Sequence, residues 1–306
     1  MTPLDATAFL LLVVATLLVL LVSGNNAQAS IGNLIGAKVV RTRTALMLEV
    51  AGVSLGLLFQ GTRMSTAAAN LAKGLSSQTV LLVLTITLVL FTIAHFARIP
   101  LSLTHTLPAL LAGVALAFNS YFFFMILAWM AAPAAALVAT PLIARLASRP
   151  GANDFWAKIQ VYKALLILVS FLFAFTLGAN TIGLIVAVEG FGGLAVPLAV
   201  AGVVVGTFFL SAGEIRRVTS DLFELGYSNA MSSMLTSAVL VEASTLIGIP
   251  MANTMVQNTA VFGAGLSYKT KFFSARPFFL VALSWIVFPA AGVAAGALIG
   301  AAGNLL

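Results

Sequence analysis

The chain contains no cysteine, which removes disulfides and thiolate chemistry from consideration and leaves its redox compartment unspecified. Charge is nearly as scarce. Asp, Glu, Lys and Arg make up 8% of the residues, against about 25% in a typical soluble domain. The net charge is +7, yet no Lys/Arg run is long enough to form a nucleic-acid surface, and the excess reads as loop charge instead. Metal-ligand spacings, a glycine-rich nucleotide loop and a catalytic triad are also missing. The chain therefore does not read as an enzyme, no cofactor is expected, and an ATP-driven pump would need its motor on a separate subunit. Strict alternation of apolar and polar residues is absent too, which excludes a membrane β-barrel.

What remains is apolar. Hydrophobic residues are 61% of the chain and the mean hydropathy is +1.12. Several runs approach or exceed the roughly 20 residues needed to cross a bilayer. The fold expected is an all-α polytopic membrane protein. Ten hydrophobic segments are read, at 8–23, 44–60, 79–97, 106–118, 121–144, 160–177, 194–212, 232–248, 255–267 and 278–302. The first carries Asp5 and no basic residue before it, so it reads as a membrane helix rather than a signal peptide. The fourth and ninth are short enough to be re-entrant half-helices.

Two repeats emerge from the order of motifs. Ile99-Pro100, Thr104 and Gly113 match Ile249-Pro250, Thr254 and Gly263 at a constant offset of 150. The chain divides into a first repeat at 1–148, a short polar central loop at 149–159 and a second repeat at 160–306. If each half crosses an odd number of times, the repeats are inverted, a common plan in secondary carriers. Basic residues cluster after the first segment (Lys38, Arg41, Arg43), the fifth (Arg145, Arg149, Lys158, Lys163) and the ninth (Lys269, Lys271, Arg276). By the positive-inside bias this puts the N-terminus outside, in a cell membrane. Gly202 and Gly206 have the Gly-x-x-x-Gly spacing that permits close helix contact, within the chain or in a homodimer.

Polar residues at depth carry the chemistry. Ser23-Gly24-Asn25-Asn26 and Gly178-Ala179-Asn180-Thr181 each close an apolar run and read as broken helices. Breaks in corresponding positions of two halves point to a binding site. Asn26 would cap a new half-helix whose N–H groups suit an anion, with Gly24, Asn25, Gln28 and Ser30 nearby. Ser102, Thr104 and His105 follow Pro100, and Asn253, Thr254 and Gln257 follow Pro250. Hydroxyls and amides can surround a tetrahedral oxyanion, each hydrogen bond to charge being worth about 1.5–3 kcal/mol. Glu49 and Glu242 are ionisable within membrane segments and could carry a coupling ion, H+ or Na+. Gly151-Ala152-Asn153-Asp154 sits in the polar central loop rather than at the end of an apolar helix, and is rejected as a site.

These motifs resemble the inorganic phosphate transporter family, which includes sulfate permeases. That family carries Gly-Ala-Asn-Asp and later Pro-Val-Ser-Thr-Thr-His in each inverted repeat. Here the first motif reads Ser23-Gly24-Asn25-Asn26 and Gly178-Ala179-Asn180-Thr181, and the later one Pro100-Leu101-Ser102-Leu103-Thr104-His105 and Pro250 through Thr254. The resemblance implies ion-coupled uptake of inorganic phosphate, with the anion between the repeats. The motif Asp is Asn26 in one repeat and Thr181 in the other, and the family glutamate of the second helix falls at Val53, one turn from Glu49. Loss of carboxylates weakens a sodium site and favours protons. It also suits sulfate, a dianion with no proton to donate, so phosphate and sulfate stand near parity. Two further readings come from other classes: a non-transporting sensor or assembly subunit, and an anion channel.

Overall fold

A computed structural model describes residues 6–97, 101–147, 155–221, 227–266 and 276–303. Ile99, Pro100, Arg149, the literal Gly151–Asp154 motif, most of the central loop, Lys269 and Lys271 lie outside the described residues. The described residues form helices joined by turns and short loops, with no strand among them. Its elements are α1 (Ala6–Gly36), α2 (Thr42–Gln60), α3 (Ser65–Leu71), α4 (Ser77–Ala97), α5 (Leu103–Val114), α6 (Ser120–Ala147), α7 (Phe155–Thr176), α8 (Gly183–Glu189), α9 (Ala195–Asp221), α10 (Tyr227–Leu246), α11 (Asn253–Leu266) and α12 (Arg276–Gly303). A 3₁₀ turn, Gly61–Met64, joins α2 to α3, and a π-helical turn, Leu177–Ile182, joins α7 to α8. Among the described residues six helical stretches are long and apolar enough to cross a membrane. The chain is a multi-pass membrane protein. The ten hydrophobic segments read from the sequence fall on α1, α2, α4, α5, α6, α7, α9, α10, α11 and α12.

The fourth and ninth segments are short, as expected. The helix α5 has 12 residues and α11 has 14. At 1.5 Å per residue they reach about 18 and 21 Å, less than the roughly 30 Å of a hydrocarbon core. All twelve residues of α5 are buried. Each short helix packs along the last long helix of the other half, α5 on α12 and α11 on α6. The exchange is reciprocal elsewhere: α1 packs along α9, and α2 along α7.

The first expected break is absent. The helix α1 runs unbroken through Ser23–Asn26 to Gly36, so Asn26 caps nothing. Its glycine serves packing rather than chain reversal. A Cβ on Gly24 would stand 2.5 Å from Leu210 Cβ and 2.9 Å from the Gly206 carbonyl, so the hydrogen lets α1 and α9 touch. The second break is a widening, not a cut. Residues 177–182 keep helical continuity with π geometry, a form often found at functional sites. There Gly178 lies against the Val53 backbone of α2. Gly202 and Gly206 also face α1, where a Cβ on Gly202 would meet the Thr16 carbonyl at 3.0 Å. The Gly-x-x-x-Gly spacing is thus used inside the chain.

Alignment of the two long helices adds a repeat signal that the sequence reading missed. Both α6 and α12 have 28 residues. Phe122-Phe123, Trp129 and Pro133-Ala134-Ala135 in α6 occupy the same places as Phe278-Phe279, Trp285 and Pro289-Ala290-Ala291 in α12.

Candidate functional site

The two short helices point their N-termini at one cavity. It is lined by Asn26 of α1, Ser102, Leu103 and Thr104 at the start of α5, Thr181 of the π turn, and Ala252, Asn253 and Thr254 at the start of α11. Both halves of the chain contribute. The first N–H groups of a helix lack partners within it, and the dipole adds partial positive charge there. None of the eight lining residues is charged, so these N–H groups, three threonine or serine hydroxyls near the tips, Thr181 and two amides make a neutral, donor-rich lining. Its free volume is about 10 Å³, the room of a single water.

Local chemistry sets each tip. Ser102 is extended (φ −100°, ψ 119°) and stands just before α5, its hydroxyl 3.3 Å from that of Thr104. The second tip is held from behind. The helix α10 ends at Leu246, and the turn after it passes through Gly248, whose φ of +72° is a left-handed conformation that glycine adopts without strain. Four bonds then pin the loop. Tyr121 donates to the Gly248 carbonyl at 2.5 Å, and Trp129 Nε1 to the Pro250 carbonyl at 2.7 Å. Asn180 Nδ2 donates to the Ile249 carbonyl at 3.0 Å, and its Oδ1 accepts the Met251 N–H at 2.8 Å. The same Nδ2 also reaches Thr245 Oγ1 at 2.9 Å. Asn253 closes the turn when its amide oxygen faces the Leu177 N–H at 3.3 Å and its nitrogen the Met251 carbonyl at 3.2 Å.

Six of the sequence-derived candidates therefore line the cavity: Asn26, Ser102, Thr104, Thr181, Asn253 and Thr254. The others do not. Gly24 faces α9. Asn25 and Gln28 are out of phase with Asn26, Gln28 by about 200° around the helix. Gly178 and Asn180 are buried in scaffold contacts. His105 and Gln257 are buried behind the tips, and neither ring nitrogen of His105 nor Gln257 Oε1 has a hydrogen-bond partner.

Of the two glutamates, Glu49 is fully buried and its Oε2 accepts a hydrogen bond from Ser30, while Oε1 is unpartnered. Ser30 lies one turn beyond Asn26 on α1, about 6 Å along the axis and on nearly the same face. Glu242 is half-buried on α10, with Oε2 unpartnered and no part in the lining. The sequence reading missed Tyr121 and Trp129. The signal for Trp129 was its recurrence, with Pro133, at matching places of α6 and α12.

Three comparisons bear on this arrangement. A model of the phosphate transporter family matches residues 146–296. A protein of Methanocaldococcus jannaschii, provisionally named a phosphate permease, is 21% identical over 280 residues, covering 91% of this chain and 92% of its own. A solved structure titled the sodium-dependent phosphate transporter superposes with a TM-score of 0.80 at 18% identity, over 99% of this chain and all of that one. At that identity the superposition establishes the fold.

Proposed function

We propose that this chain belongs to the phosphate transporter family and is a secondary permease for a tetrahedral inorganic oxyanion, held between its two halves. The observation that carries this reading is the convergence of two half-helix N-termini and six hydroxyl or amide side chains on one uncharged cavity. The family model, the permease relative and the transporter fold support phosphate as substrate. The reciprocal packing of α5 with α12 and α11 with α6 supports two inverted repeats. The small free volume means that the tips must part to admit the anion, as rocking of one half against the other would do.

Sulfate is the second substrate reading, favoured by the lining itself. A proton-bearing phosphate is best matched by an acceptor such as a carboxylate, and no carboxylate lines the cavity. Coupling is assigned to Glu49 of α2, which accepts a hydrogen bond from Ser30, the residue one turn beyond Asn26 on α1. A single buried carboxyl with one hydroxyl partner suits a proton better than sodium, which needs several oxygen ligands. The protein sits in the cell membrane, N-terminus outside. The test is uptake of labelled phosphate and labelled sulfate into proteoliposomes under an inward proton or sodium gradient. Saturable, gradient-driven uptake of either anion is expected. Flux that follows the membrane potential alone would mean a channel, and binding without flux a sensor.

A further inference from the structure

We infer that Trp129 is a positioning residue that ties the two half-helix tips together across the cavity. The inference rests on the permease reading for its consequence, but not for its geometry. The Trp129 indole is 6% exposed and makes two contacts that no other described side chain is seen to combine. One is with the first tip: its ring stands 4.3 Å from the His105 imidazole, tilted by 55°. His105 follows the cavity-lining Thr104, and with both ring nitrogens unpartnered its orientation is set by packing rather than by hydrogen bonds. The other is with the second tip: Nε1 donates to the Pro250 carbonyl at 2.7 Å, two residues before the cavity-lining Ala252. Trp129 is rigid, with two χ angles, so a shift of one tip is passed to the other. Tyr121, about two turns earlier on the same face of α6, holds only the second loop, through Gly248.

The consequence concerns affinity. The oxyanion contacts N–H groups of both tips only if their separation is set in advance, and preorganisation of that kind lowers the cost of binding. The N–H to carbonyl bond can be cut with the ring contact left in place. Trp129→Phe keeps an aromatic ring against His105 and loses the bond to Pro250. Trp129→Leu loses both.

The test combines backbone hydrogen exchange on the purified full-length protein, without anion, with uptake kinetics. In Trp129→Phe, exchange should accelerate in 248–256 while 101–107 stays as in wild type. In Trp129→Leu both segments should accelerate. In Tyr121→Phe only 248–256 should change. Trp129→Phe should raise KM for the oxyanion roughly three- to tenfold, the loss of about one net hydrogen bond, with kcat within about twofold. Trp129→Leu leaving 101–107 at wild-type exchange would overturn the link. So would Trp129→Phe with wild-type exchange and wild-type KM. A wild-type protein that takes up neither anion would sink the permease reading, and the exchange pattern would still decide the link.

Discussion

Asn180→Ala should loosen the second tip without touching the cavity wall. The side chain is fully buried and uses its whole amide: Nδ2 donates to Thr245 Oγ1 and the Ile249 carbonyl, and Oδ1 accepts the Met251 N–H. Truncation leaves a buried carbonyl and a buried N–H unpaired. In a soluble protein each such group costs about 1–3 kcal/mol, while side-chain bonds between membrane helices average nearer 0.6 kcal/mol. Two unpaired groups at the upper figure and three lost bonds at the lower one bracket a loss of about 2–6 kcal/mol. At roughly 2 °C per kcal/mol for a chain of this size, the melting temperature should fall by about 4–12 °C. The assay is thermal unfolding of detergent-solubilised protein followed by size-exclusion chromatography, with uptake measured on the surviving fold. Uptake should fall too, because the Met251 N–H no longer fixes the start of α11. Thr245→Val, which removes one of the three bonds and leaves the loop contacts, should lose at most a third as much. An Asn180→Ala variant that melts and transports like wild type would refute the view that this residue builds the tip.

Other outcomes follow from the same geometry. Asn26→Asp places a carboxylate among the donors of an uncharged cavity, and sulfate uptake should drop more than tenfold by KM, since two like charges about 4 Å apart repel by about 4 kcal/mol at an effective dielectric of 20, whereas phosphate can donate its own proton to the carboxylate and should be spared. Glu49→Gln keeps an acceptor for Ser30 but cannot cycle a proton, so proton-driven accumulation should vanish while anion exchange at equal pH persists. Gly24→Leu should abolish folded yield, because even a Cβ there stands 2.5 Å from Leu210 Cβ, and the α1–α9 contact cannot widen without displacing Asn26.

The membrane helices were legible because bilayer thickness acts on segment length, and length is read directly from residues. For the same reason 12 and 14 residues in α5 and α11 announced themselves as too short to cross. The tips were legible because Ile-Pro and a threonine recur 150 residues apart, with further hydroxyls or amides beside each. Ser23–Asn26 misled because Gly and Asn end helices exposed to water. Inside this bundle Gly24 instead admits Leu210, and the backbone of α1 keeps its own hydrogen bonds. Nearness along the chain also overstated the site. At about 100° per residue, Asn25 and Gln28 turn away from the cavity that Asn26 lines. Asn180 and Thr181 divide the work in a way that spacing alone does not show, the first building the scaffold and the second lining the cavity. Trp129 stayed hidden because an indole in an apolar helix is ordinary, and its meaning depends on two contacts distant in sequence.

The central claim is that both tips hold one oxyanion. The direct measurement is equilibrium binding of labelled phosphate and labelled sulfate to purified wild type, Thr104→Val, Thr254→Val and the double variant. Each change removes one hydroxyl at near-constant volume. A hydrogen bond to a charged group is worth about 1.5–3 kcal/mol, so each single variant should weaken binding roughly ten- to a hundredfold, with the double variant weaker still. Wild-type affinity in both single variants, or loss from one tip alone, would contradict a site shared between the two halves.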